Sequence, residues 1–207
     1  SSHEIALMEN STVAWSHAFY ALPLESGSKI LTSETEYAAN YVAFLQRAKR
    51  DNLTIDIIPS DQSGALDVNA LESMVDDSVG LIAVSWIPTN GGLVNPAEKV
   101  GQVAKKYNIP YLLDACQAAG QMQIDVNKIQ CDFLSAINLR RSSSRLNNFI
   151  NKLIGVNNPK NIIPKTIGLI IIPNSKPNCI HSLFRGNSVS GLINVVRRKN
   201  TVIANIT

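Results

Sequence analysis

Residues 81–114 read LIAVSWIPTNGGLVNPAEKVGQVAKKYNIPYLLD, and this stretch decides the fold. Leu81-Ile82-Ala83-Val84-Ser85 is apolar without interruption up to its last residue, the pattern of a strand covered on both faces. A Pro- and Gly-rich loop, Pro88 to Gly92, follows it, and then a helix from Pro96 to Tyr107. Pro110 leads into Tyr111-Leu112-Leu113, a further buried strand that ends on a carboxylate, Asp114. Strand, helix and strand at this spacing suit a right-handed crossover between parallel neighbours.

The same alternation extends both ways. Glu4 to Met8 forms a short strand, and Asn10-Ser11-Thr12 supplies caps for a helix through Trp15 and Phe19 that Pro23 and Gly27 stop. Trp15 and Phe19 either fill the core or face a partner, and the core is the preferred assignment. Lys29-Ile30-Leu31-Thr32 reads as a strand, residues 36–50 as a helix ending in a basic cluster, and Thr54-Ile55-Asp56-Ile57 as the next strand. Asp61 to Gly64 is a turn, and Asp67 caps a helix containing Leu71, Met74 and Val75. Cys131-Asp132-Phe133-Leu134-Ser135 is another strand. The expected fold class is therefore α/β, a three-layer α/β/α arrangement around a mostly parallel sheet.

Beyond Asn138 the regularity fades. Residues 140–148 are mainly Arg, Ser and Asn, and only Ile167 to Ile172 and Val189 to Val196 have strand character. Charge breaks at the same place. Residues 1–137 hold all 16 acidic side chains and 8 Lys or Arg, a net of −8, whereas residues 138–207 hold 11 Lys or Arg and no Asp or Glu. Folded surfaces normally mix both signs. Such a basic block could bind nucleic acid or an anionic membrane surface, or it is not a normally evolved continuation of the first part. The expected division is a core over residues 1–136 and a divergent basic tail over 137–207, either completing the sheet or partly disordered.

With 207 residues, 45% of them hydrophobic, the chain can build one core but hardly two domains. No apolar run reaches membrane-spanning length and the first residues lack a signal-peptide pattern, so a membrane location is not expected. Cys116, Cys131 and Cys179 are odd in number and widely spaced, which suits a reducing, cytoplasmic compartment and offers no zinc pattern with the three scattered His.

Ligands of open α/β sheets sit beyond the carboxyl ends of the strands. Ser11-Thr12, Tyr37, Thr89, and Asp114 with Gln117 all fall at such ends. Asp114 is either a helix cap or the electrostatic partner of a bound cation. Ser11-Thr12 opens a helix, where free amides and hydroxyls can hold a phosphate.

Taken together these strings resemble the class V aminotransferases, the branch of the fold-type I pyridoxal-phosphate enzymes that includes cysteine desulfurases and selenocysteine lyases. The resemblance rests on Glu9-Asn10-Ser11-Thr12-Val13-Ala14-Trp15, on Ile30 to Ser33 with Glu36-Tyr37-Ala38-Ala39-Asn40, and on Pro88-Thr89-Asn90-Gly91-Gly92-Leu93-Val94-Asn95-Pro96. Leu113-Asp114-Ala115-Cys116-Gln117-Ala118-Ala119-Gly120 and Cys131 to Ala136 complete it. It implies part of the family's large domain, pyridoxal phosphate as cofactor, an amino acid as the small-molecule substrate and a homodimer. Asp114 would pair with the cofactor's ring nitrogen, Gln117 with its 3′-oxygen, and Thr12 with the Ser11 amide would hold its phosphate. Tyr37 stands where many relatives stack a histidine on the ring, and Thr89 where relatives often have Asn.

The resemblance then breaks. Relatives place the lysine of the internal Schiff base at the position of Arg140, whose guanidinium stays protonated and cannot form an imine. Their Gly-rich closing loop is replaced by Arg140-Arg141-Ser142-Ser143-Ser144-Arg145. A shifted reading frame or degraded gene from about residue 137 is the preferred reading of this pattern; a diverged, non-catalytic relative is the alternative. Relatives also carry an N-terminal segment and a C-terminal small domain with no counterpart in these residues. The resemblance implies a pyridoxal-phosphate-dependent amino-acid transformation of the aminotransferase or cysteine desulfurase (C–S lyase) type, impaired because Arg140 stands at the lysine position; the alternative is a non-catalytic protein whose basic tail docks on nucleic acid or acidic surfaces.

Overall fold

The computed structural model describes residues 4–89, 91–139, 166–171, 193–198 and 201–206. In chain order the main elements are β1 (Ile5–Met8), α1 (Ser11–Ala21), β2 (Lys29–Ser33), α2 (Ala38–Asp51) and β3 (Thr54–Ile58). They continue through α3 (Val68–Ser73), β4 (Val79–Ser85), α4 (Ala97–Tyr107), β5 (Tyr111–Asp114), α5 (Val126–Ile129) and β6 (Phe133–Leu139). β7 (Thr166–Ile171) joins the same seven-stranded sheet, whose order is β1-β7-β6-β5-β4-β2-β3. β2, β3, β4, β5 and β6 pair in parallel, and β7 runs antiparallel to both β6 and β1. A separate antiparallel pair is made by β8 (Ile193–Arg198) and β9 (Thr201–Ile206).

The strands carry two cores because successive side chains point to opposite faces. Leu31, Ile82, Val84, Leu113, Leu134 and Ala136 face one cluster with Leu71 of α3, Val100, Val103 and Ala104 of α4, and Ile129 of α5. Ile30, Leu81, Ala83, Leu112 and Phe133 face the other, with Ala14, Trp15, Ala18 and Phe19 of α1 and Ala43 and Phe44 of α2. This is the expected three-layer arrangement, and it places Trp15 and Phe19 in the core.

Local chemistry sets the helix ends. The Asn10 side chain accepts from the Val13 amide at 2.9 Å, and Asp67 accepts from Asn69 and Ala70, as capping residues should. α2 and α4 stop at Asn52 and Asn108, both left-handed at φ 54°, after Lys49-Arg50 and Lys105-Lys106 have placed positive charge at the negative end of each dipole. Gly101 lets α4 touch α5: a Cβ there would lie 1.7 Å from the Ile129 carbonyl oxygen.

Three expectations need correction. α3 closes at Ser73, so Met74 is its C-cap and Val75 lies beyond it; both pack against the core as partly buried side chains. α2 begins at Ala38, because the Glu36 carboxylate is engaged elsewhere and Tyr37 takes the N-cap position. β6 runs past Ser135 to Leu139, since β7 pairs with it from Leu134 to Leu139 and extends its ladder. The strand expected over residues 167–172 is found as β7, and that over 189–196 as β8 from Ile193 onward. Arg140 to Arg145 lie outside the described residues.

Candidate functional site

Beyond the carboxyl ends of β4 and β5 the structure holds a cavity of about 220 Å³. Its wall is assembled from the start of α1 (Ser11, Thr12, Trp15), the start of α2 (Tyr37, Asn40), the β4 end and following loop (Ser85, Ile87, Thr89), the turn after β5 (Asp114, Cys116, Gln117) and Ile137 of β6. Ser11, Thr12, Tyr37, Thr89, Asp114 and Gln117, all singled out from the sequence, therefore line one space.

Two parts of the cavity wall differ in chemistry. At one, Ser11 and Thr12 open α1. Val13 and Ala14 donate their amides to Asn10, which leaves the first amides at the positive end of the helix dipole beside two hydroxyls. At the other, Asp114 is 7% exposed, and its Oδ1 accepts the Cys116 amide at 3.0 Å. Its Oδ2 accepts from Asn40 Nδ2 at 2.9 Å. Among the described residues no Lys or Arg forms an ion pair with Asp114. Both of these donors are neutral groups.

A second carboxylate lies behind this wall. Glu36 Oε1 accepts from the Tyr37 amide (2.9 Å), Asn40 Nδ2 (2.9 Å) and Ser85 Oγ (2.6 Å). Its Oε2 accepts from the Ser85 amide (2.8 Å) and Thr32 Oγ1 (3.3 Å). Burial raises the Glu36 carboxyl above its ordinary value; bonds from Ser85 and Asn40 oppose this, and the nearby Asp114 adds to it. Burial also pushes the Cys116 thiol well up, with Asp114 reinforcing the shift, so Cys116 stays a thiol and is a poor nucleophile.

Sequence reasoning missed Asn40, Glu36 and Ser85 as members of this site. The signal available was the string Glu36-Tyr37-Ala38-Ala39-Asn40, in which an i,i+4 Glu–Asn pair opens a helix.

The sequence model for aminotransferase class V matches residues 1–137. The chain belongs to the class V aminotransferase family. Members of this family use pyridoxal phosphate, and its solved relatives have the fold-type I architecture. A protein of Borreliella burgdorferi named a probable cysteine desulfurase is 29% identical over 180 residues, covering 86% of this chain and 38% of that protein. One of the same name from Synechocystis sp. is 30% identical over 139 residues, 66% of this chain and 33% of that one. The apo structure of a cysteine desulfurase from Thermococcus onnurineus superposes with a TM-score of 0.64 at 24% identity, covering 82% of this chain and 38% of that one. The chain thus spans about a third to two fifths of the length of these relatives. The Borreliella match is longer than the stretch matched by the family model, so similarity continues into the basic segment. Among the described residues no helix is long and apolar enough to cross a membrane, and no group of His, Cys, Asp and Glu is placed to hold a metal ion.

Proposed function

We propose that the cavity binds pyridoxal phosphate and that the protein is of the cysteine desulfurase type, acting on the C–S bond of a small amino acid as a cytoplasmic homodimer. One observation carries this reading: a buried carboxylate with no ion-pair partner among the described residues shares a cavity with the open N-terminus of an eleven-residue helix. A ligand with a protonatable ring nitrogen at one end and a phosphate at the other suits that pair of charges. When bound, the cofactor withdraws electrons from an attached amino acid. The residues of this chain do the rest. Ser11, Thr12 and the first amides of α1 hold the phosphate. Asp114 keeps the ring nitrogen protonated, Gln117 meets the 3′-oxygen, Tyr37 covers the ring, and Thr89 lies on the substrate side.

Arg140 has no part in covalent attachment, since guanidinium is not an amine nucleophile. Turnover is impaired unless another lysine reaches the cavity; Lys152 and Lys165 lie outside the described residues. β7 in the sheet and the length of the Borreliella match both support a diverged segment after residue 136 over a shifted reading frame.

The test is an absorbance titration of the purified protein with pyridoxal phosphate, followed by borohydride reduction, intact mass and peptide mapping. The expected result is saturable binding that Asp114→Asn weakens by roughly tenfold or more, as for a charge-assisted hydrogen bond lost at a buried site. A single reduced adduct mapped to one lysine would restore a full enzyme. Absence of saturable binding would overturn the reading. A second reading follows from the 11 basic and no acidic residues over 138–207: docking on nucleic acid, which should weaken steeply with salt.

A further inference from the structure

Asn40 is 2% exposed, and its Nδ2 stands 2.9 Å from Glu36 Oε1 and 2.9 Å from Asp114 Oδ2. An amide nitrogen has two hydrogens and no acceptor capacity, so one side chain satisfies two carboxylates at once. The direction of the amide is not arbitrary. Glu36 Oε1 already accepts the Tyr37 amide, and Glu36 Oε2 the Ser85 amide; both backbone donors are fixed by the chain. An oxygen receiving a backbone N–H must meet the nitrogen end of Asn40, because its carbonyl end would place two acceptors face to face. Glu36 therefore forces Asn40 to present a hydrogen to Asp114. The Cys116 amide does the same for the other oxygen, and the two donors together set the plane of the Asp114 carboxylate.

We infer that Asn40, oriented by Glu36, is a positioning residue that holds Asp114 as a hydrogen-bond acceptor facing the cavity and separates it from the second buried carboxylate. The inference rests on the cofactor reading above, because Asp114 is the group being positioned for a ring nitrogen. Glu36 does not line the cavity, so its influence passes through Asn40. Without the amide, Glu36 and Asp114 would face each other across an unfilled gap as like charges with no donor between them. Ser85 ties the arrangement to the sheet: its amide and hydroxyl both bind Glu36, and it pairs with Asp114 across β4 and β5.

The experiment measures the affinity of the full chain for pyridoxal phosphate by equilibrium dialysis, in wild type, Asn40→Ala and Asn40→Leu. Asn40→Ala should weaken binding roughly tenfold or more, the usual scale for a lost hydrogen bond to a buried charge. Asn40→Leu, which fills much the same space without a donor, should lose affinity to the same extent. That loss is the decisive sign, because a packing role for Asn40 predicts that refilling the space restores affinity. Thermal melts report folding, and Asn40→Ser, which keeps one donor, serves if Asn40→Ala does not fold; it should fall between wild type and the loss above. Wild-type affinity in Asn40→Ala, or affinity regained in Asn40→Leu, overturns the positioning role while leaving the cofactor reading intact. Failure of the wild type itself to bind would remove the cofactor reading and this inference together.

Discussion

On the face of the sheet covered by α3, α4 and α5 the buried side chains are mainly aliphatic, with Trp86 and Tyr111 as the large exceptions. On the face covered by α1 and α2, Trp15, Phe19 and Phe44 pack with ring centroids 4.9–5.4 Å apart, and buried Arg47 and Asn40 lie on the same helical layer. Arg47 stacks on Phe19 and donates to the carbonyls of Phe19 and Leu22 at the end of α1, with Asp51 accepting from its Nε at 3.0 Å. The cavity draws helical residues only from this second layer: Ser11, Thr12, Trp15 and Asn40. One side of the sheet holds the fold together by filling space. The other also has to keep polar groups dry and aligned, and its aromatic cluster supplies the rigid backing they need.

The largest test of that contrast is Phe44→Ala. A buried aromatic truncated to Ala costs about 3–5 kcal/mol, and because Phe44 abuts Trp15, a wall of the cavity, pyridoxal-phosphate affinity should fall along with the denaturation midpoint. Gly101→Ala on the opposite face should cost about 3 kcal/mol, at the upper end for overpacking, because the new methyl meets backbone rather than a side chain that can turn. Binding by the folded fraction should be unchanged there; a fall in affinity would show that the two faces are not independent. Smaller again is Asp67→Ala, which removes the cap of α3 for about 1 kcal/mol in a chemical melt. The smallest effect concerns Asp76, which the Lys29 ammonium holds down at about 2 against an ordinary 3.8. A depressed carboxyl stabilises the fold above 3.8 and loses that contribution as pH falls through about 2, so Asp76→Asn should lower stability slightly above 3.8 and remove this part of its fall between 3.8 and about 2.

The sheet was largely legible because β4 and β5 are apolar on both faces, and runs such as Leu81 to Val84 admit few other placements. The cavity rim was legible for a related reason: residues at strand ends and helix starts have positions that follow once the elements are known. Glu36 and Asn40 were not. Their burial depends on Ser85 and Asp114, which lie 49 and 74 positions further along, and nothing local distinguishes them from an ordinary solvated helix start. Arg47 shows the same limit. Beside Lys49 and Arg50 it reads as part of an exposed basic helix end, yet it turns inward because the Phe19 and Leu22 carbonyls at the end of α1 can each take a second donor besides the Leu22 and Leu24 amides. The extension of β6 depended on β7, whose Gly168 and neighbouring isoleucines carry strand character but no signal of which edge they will join.

The order of the sheet also sets a timetable for its making. β1 leaves the ribosome before the other strands described, yet its neighbour is β7, with Ile5 opposite Ile171. At ordinary synthesis rates of about 5–20 residues per second, the wait between them is roughly ten to thirty seconds. Throughout that interval the strand leading into Ser11 and Thr12 has no ladder to join, while β2 to β6 can pair as they emerge. The helix start that faces Asp114 is thus made early but its lead-in strand is laddered late: before residue 166 is made, α1 can already pack on β2 to β6, while β1 still lacks its neighbour in the sheet.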